Sequence, residues 1–323
     1  MKLYPFIALK REYLLKLLIV LFIFSIFFPI RHVFKSESNF ATGAYSDFTS
    51  ISLYSCDLLI IALFLVLLGD GGWSKKLTKP LLLLTAWLIM ILLGRINSQI
   101  GLNIYFFFKI LELFVLHETF KNYGHSYKDI IAKTLVLFGF LESLLAIFQF
   151  LYQRSLGFYK IGEQHIDPLT LGVAKIGLNM LKFVRGYGTF PHPNLLSAFL
   201  FTCTIFGLYL LLGAKSKIQR IYYSIILVFT IFGLFITFSR AGLLALAVTL
   251  IVFFLLNIRQ TGLQRKIGLP AVIALVTILS ASLLLKPFIL ARTDLSTDQS
   301  AKERIFYTKI GLKIIKAHPI TGT

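Results

Sequence analysis

Two arginines and one glycine- and proline-rich turn hold the residue types best suited to chemistry. Arg185-Gly186-Tyr187-Gly188-Thr189-Phe190-Pro191-His192-Pro193-Asn194 gathers a guanidinium, an imidazole and a carboxamide just before a long apolar run, and Arg240 stands in Thr237-Phe238-Ser239-Arg240-Ala241-Gly242. Guanidinium groups present rigid forks of donors that suit phosphate oxygens. Two of them converging would bind a diphosphate and stabilise the negative charge that grows on it as a leaving group. Gly186 and Gly188 let a ligand approach the backbone closely. Pro191 and Pro193 stiffen the turn, and Asn194 is a helix-capping type. The same residues also describe a plain structural feature, a rigid start to a helix with His192 bonded to a nearby carbonyl.

Whatever positions these groups is embedded in apolar helix. The chain has 323 residues, 57% hydrophobic and 15% charged, with a mean hydropathy of +0.81. Soluble domains carry about a quarter charged residues. Repeated apolar runs match the ~30 Å hydrocarbon core at ~1.5 Å per helical residue. The fold class is therefore all-α, a polytopic membrane helical bundle in one domain, 1–323. About nine spans are expected, near 14–30, 53–68, 80–94, 102–117, 130–151, 194–212, 221–238, 241–256 and 269–285. The first run follows Lys2, Lys10 and Arg11 but has no small-residue cleavage site, so it reads as a retained span. Cys56 and Cys203 lie inside apolar runs and read as packing residues, not as a disulfide or a metal site.

Charge sets the expected orientation. The N-terminus and the connections near 69–79, 118–129, 213–220 and 257–268 are rich in lysine and arginine, which places them in the cytoplasm. The 221–256 run is too long for one span, ~54 Å as a single helix. Ser239-Arg240 with Gly242 is its natural break, because a charge in mid-membrane is costly. Connection 152–193 and the tail 286–323 then fall outside together, and both are basic. Most of the net charge of +19 is explained by inside loops and anionic lipid, and the outer excess suits a polyanionic ligand. No nucleic-acid partner is expected. Connection 152–193 is longer than a helix–helix join requires. Leu171, Ala174, Ile176, Leu178, Leu181 and Phe183, with Lys175 and Lys182 between, predict an amphipathic helix on the outer surface.

Polar residues inside the spans read first as glue. Lys109 and Glu112 stand at i, i+3 and are expected to pair. Asp57, Glu142 and Gln149 are expected to bond between helices. A polar path through the bundle is the alternative, and would suit a transporter or flippase of an anionic solute. A purely structural scaffold would leave the outer basic motifs unexplained.

Three motifs in order, Arg185 to Asn194, Thr237 to Gly242, and Glu303-Arg304 leading to His318-Pro-Ile-Thr-Gly322, resemble the O-antigen ligase-related proteins. That family takes in lipopolysaccharide O-antigen ligases, Wzy-type polymerases and O-linked protein oligosaccharyltransferases. The resemblance implies a glycosyltransferase of the inner bacterial membrane with its active face outside and no metal or cofactor. Its donor would be a glycan on undecaprenyl diphosphate, and its acceptor a glycan, lipid or protein hydroxyl. Arg185 and Arg240 match the two family arginines that hold the diphosphate. Gly188, His192, Asn194 and His318 would line the substrate side. The family's general base is a histidine in a His-Asn-like motif beyond the position of Gly322. The sequence ends at Thr323, within the His-Pro-x-x-Gly motif, so the resemblance implies a C-terminally truncated member in which His318 shapes a turn.

Overall fold

The structure is a computed structural model and describes residues 4–28, 30–34, 50–68, 82, 85, 89, 100–178, 180–257, 264–293, 299–317 and 319. In chain order its elements are α1 (Tyr4–Phe27), β1 (Arg31–Phe34), β2 (Ile51–Tyr54), α2 (Ser55–Leu68), α3 (Ile100–Tyr152), β3 (Lys175–Leu178), β4 (Leu181–Val184), α4 (Pro193–Leu212), α5 (Lys217–Ile236), α6 (Arg240–Asn257), α7 (Gln264–Leu284), α8 (Lys286–Thr293) and α9 (Gln299–Ala317). The protein is mostly helical. Among the described residues, α4, α5 and the Ile104–Tyr152 stretch of α3 are long and apolar enough to cross a membrane, and Gly268–Leu284 with Lys286–Arg292 makes a fourth candidate bent by 77°. These helices make the chain an integral membrane protein. Predicted span 80–94 lies outside the described residues except for helical Leu82, Thr85 and Ile89.

Two sequence expectations are corrected. The connection expected at 118–129 is helical, so the apolar runs 102–117 and 130–151 lie on one continuous helix, α3, because the polar stretch between them contains no breaker. Its only glycine is Gly124, it has no proline, and Glu118 holds Lys121 at 3.6 Å and the Asn122 carboxamide at 3.4 Å within the helix. Polarity ends a span but does not end a helix. The amphipathic helix predicted within 171–183 is instead an antiparallel hairpin of β3 and β4, with Lys175 opposite Val184 and Ile176 opposite Phe183. Gly172 at φ +79 and Gly177 inside β3 disfavour helix there. Ile176 and Val184 are buried while Gly177, Leu181 and Lys182 are exposed. Met180 turns the chain between the strands at φ +67.

The chain divides into two units, Met1–Ser25, Ile30–Tyr127 and Thr297–Thr323 in one, and Ile26–Pro29 with Lys128–Ser296 in the other. In the first unit β1 pairs antiparallel with β2. Lys109 of α3 bonds the carboxylates of Asp57 and Glu112, the latter at 3.2 Å. The expected Lys109–Glu112 pair is thus present, and Asp57 of α2 completes a triad with it, bonding helix to helix as expected.

The second unit carries the larger core. Leu196 and Leu200 of α4 and Leu227, Ile231 and Leu234 of α5 are wholly buried, at the three- and four-residue spacing of one helix face. Ala132, Val136 and Ala146 of α3 and Ala274 and Ala281 of α7 close against the same core. Opposite faces expose Leu195, Ile225, Val228, Leu244 and Leu275, the surface that lipid covers. The 221–256 run breaks at residues 237–239, between α5 and α6, where Phe238 takes a left-handed backbone at φ +47.

Candidate functional site

The turn 185–192 lies where the C-terminal ends of α3 and α5 meet the N-terminal ends of α4 and α6. A helix C-terminus leaves carbonyls without partners. The turn supplies two donors to α5: Gly186 N–H bonds the Ile236 carbonyl at 3.1 Å, and Arg185 Nε bonds the Thr237 carbonyl at 2.6 Å. The Arg185 charge also suits the negative end of the helix dipole. The other arm of its fork donates to Asn194 Oδ1 at 2.8 Å. Arg185 is only 2% exposed, and Asn194 holds it from the first turn of α4.

His192, not Asn194, caps α4. Its extended backbone and Nδ1, which accepts Asn194 N–H at 3.1 Å, satisfy one of the helix's open donors, and Pro193 follows at the first helical position. His192 Nδ1 thus acts as an acceptor in this arrangement. Capping frees the Asn194 side chain to orient Arg185.

Arg240 begins α6, three residues after the carbonyl that Arg185 holds. It is half-buried, and its Nη1 lies 3.4 Å from the Arg292 carbonyl near the end of α8. The structure therefore brings the 185–194 turn, the 237–239 break and α8 to one end of the second unit. Phe150, Phe183, Phe238 and Phe288 pack there with ring centroids 5.1–5.8 Å apart, one aromatic from each of α3, β4, the break and α8. His318 lies outside the described residues.

Sequence reasoning names Glu142 and Gln149 as hydrogen-bonding groups but not the turn as their partner. Gln149 of α3 accepts the N–H groups of Tyr187 at 3.1 Å and Gly188 at 2.8 Å, and donates to the Gly188 carbonyl and Glu163, both at 2.9 Å. Glu142 accepts both the N–H and the hydroxyl of Thr189 at 2.8 Å. The Thr189 oxygen also lies 2.7 Å from the Phe27 carbonyl. Glu142 and Gln149 were expected to bond between helices and instead bond to the turn. Their spacing of two helical turns on one face was the available signal. Gly188 has φ +61, and a side chain there would run into the Glu142 carboxylate, so both backbone and space demand glycine. Gly186 is fixed by space alone, pressed against Ile236 and Ala146.

Tyr187 braces the turn from the other side. Its ring is buried, and its hydroxyl accepts Ala174 N–H at 2.6 Å just before β3. Burial pushes its phenol above the ordinary value, against the opposing effects of that N–H and of Arg185. Among the described residues, no group of three or more His, Cys, Asp or Glu is placed to hold a metal ion.

The family model described as O-antigen ligase matches residues 225–323, a stretch that contains Arg240 and His318 but not the 185–194 turn. The match is consistent with the O-antigen ligase-related family that the motifs resemble. No curated protein and no solved structure matches the chain.

Proposed function

We propose that this chain, with its O-antigen ligase domain over 225–323, transfers a glycan from undecaprenyl diphosphate to an acceptor hydroxyl at the outer face of the inner membrane. In that reaction the acceptor oxygen bonds to the anomeric carbon as the bond from that carbon to the diphosphate oxygen breaks. The electron pair leaves with the diphosphate, and the acceptor's proton passes to a base. Arg185 and Arg240 bind the diphosphate and stabilise its growing charge. Gly188, His192 and Asn194 shape the substrate side, and His318 is assigned to it from its sequence motif alone. The acceptor is a glycan, a lipid or a protein.

One observation carries this reading. Arg185 is fixed through Thr237 and Asn194 at the break from which Arg240 starts α6. Preorganised cations of this kind cost no reorganisation when charge develops. The test is glycan transfer in membranes from cells expressing the gene with Arg240→Ala. Transfer falls steeply at normal protein level if the assignment holds, and undiminished transfer overturns it.

A second reading, transport of an anionic solute, draws on one feature of the first unit. Lys109, Asp57 and Glu112 line a cavity of about 510 Å³ with Tyr105, Phe64 and Ile60. Uptake by the reconstituted protein, abolished by Lys109→Met and untouched by Arg240→Ala, would establish it over the transferase reading.

A further inference from the structure

We infer that residues 152–167 form a saccharide-binding subsite beside the arginine site. A cavity of about 420 Å³ opens there, lined by Tyr152, Arg154, Gly157, Tyr159, His165 and Asp167 among others. The inference deepens the transferase reading, on which the choice of probe below rests.

The walls are preformed. Glu163 accepts the N–H groups of Leu156 at 2.7 Å and Phe158 at 2.5 Å, folding 156–163 into a closed loop. Ser155 and Ile166 bond backbone to backbone at 3.1 Å, and Ser155 Oγ accepts Ile166 N–H at 2.8 Å. At the end of α3, Gln153 takes a left-handed backbone at φ +56, which turns the chain so that its neighbours Tyr152 and Arg154 both line the cavity. Strain of this kind persists only where the surroundings enforce it. Here Gln153 Oε1 accepts Val184 N–H at 2.6 Å, directly before Arg185. Gln149 bonds Glu163 on one side and Gly188 on the other. The cavity and the arginine turn therefore share the same supports.

The lining fixes the ligand class. Tyr152 and Tyr159 are exposed, at 61% and 49%, and Tyr159's hydroxyl is 3.3 Å from His165 Nδ1. Among the described residues Arg154 makes no hydrogen bond or ion pair, and one carboxylate oxygen of Asp167 has none while the other accepts Leu169 N–H at 2.7 Å. A simple anion would be repelled by Asp167, and an apolar ligand would strip water from both charged groups without return. A sugar hydroxyl is donor and acceptor at once, so a ring bearing several satisfies a guanidinium and a carboxylate together. The weakly positive C–H face of the same ring suits the negative face of a tyrosine.

The experiment uses the protein in nanodiscs and, as probe, the single-repeat oligosaccharide released from the producing cell's own surface polysaccharide. Saturation-transfer NMR should show saturation reaching the sugar's ring protons. Arg154→Ala and Tyr159→Leu should each weaken binding at least about tenfold, the worth of one charge-assisted hydrogen bond or one aromatic contact. Tyr159→Phe, which keeps the ring, should bind within about threefold of the parent and shows that the fold survives changes there. Absence of saturation transfer to the parent protein, or variants that bind as well as it does, overturns the inference. Arg240→Ala separates the two claims: it should keep sugar binding while losing transfer. Full transfer by Arg240→Ala sinks the arginine assignment and leaves the measured subsite standing.

Discussion

Gln149 grips both backbone polar groups of Gly188: Oε1 accepts the Gly188 N–H at 2.8 Å, and Nε2 donates to the Gly188 carbonyl at 2.9 Å. The same carboxamide also holds Tyr187 N–H and the Glu163 carboxylate, and it is wholly buried. Gln149→Leu leaves all four groups without this partner, at ~1–3 kcal/mol for each one left unsatisfied. A clearly lowered thermal midpoint in detergent, with loss of transfer, is the expected result. Gln149→Glu should not rescue, because it keeps the acceptor, loses the donor and sets a second carboxylate beside Glu163. A Gln149→Leu protein that melts with the parent would show that the grip is not what holds the turn.

Arg185 and Asn194 should behave as a unit. Arg185→Lys cannot reproduce two donors in a fixed fork, one to Thr237 and one to Asn194, so conservation of charge is not enough. Transfer should fall nearly as far in Arg185→Lys as in Arg185→Ala. Asn194→Ala leaves the Thr237 bond in place and removes the Asn194 bond from one arm of the fork. It should raise the donor KM more than it lowers the thermal midpoint. A double-mutant cycle in which Asn194→Ala and Arg185→Lys simply add would show that the two are uncoupled.

Arg240 offers a cleaner separation of chemistry from stability. It is half-buried at the first position of α6, where glutamine keeps a polar side chain, and its Nη1 lies 3.4 Å from the Arg292 carbonyl. Arg240→Gln should therefore lower the thermal midpoint little while reducing kcat by ~10²–10³, the range for loss of one donor to a developing oxyanion. Kinetics at saturating donor, beside a melting curve, make the comparison. A large fall in midpoint with kcat retained would assign Arg240 to the fold.

The sequence made the apolar helices and the arginine turn legible because both are written locally, in run length and in glycine and proline. It did not reveal which polar side chains hold that turn. Glu142 and Gln149 look like intramembrane glue until the chain returns, some forty residues later, and offers its backbone to them. The β3–β4 hairpin was hidden for a related reason. Its apolar residues also fit helical spacing, and Gly172 and Gly177 tipped the outcome. In α3 the charged residues of 118–129 mark the end of an apolar run and so read as a connection, although none of them breaks a helix. Asp57 could be named as polar within a span, but its partner Lys109 is fixed only by tertiary packing.

That last pair gives a prediction about stability instead of catalysis. Asp57 is 3% exposed, and it accepts Tyr54 N–H at 2.9 Å as well as the Lys109 ammonium, which also bonds Glu112. Removing the cation strands two carboxylates in apolar surroundings. Breaking a buried pair from one side costs ~3–5 kcal/mol. Lys109 retains a quarter of its side-chain surface, so the lower end applies, about 3 kcal/mol for Lys109→Met. Adding Asp57→Asn to that variant should recover part of the loss, because the group left stranded is then neutral. Thermal midpoints of the three proteins test this directly. If transfer per folded molecule stays at the parent level in Lys109→Met, the triad serves the first unit's stability. If transfer is lost while the midpoint is unchanged, the triad takes part in the reaction and the stability account is wrong.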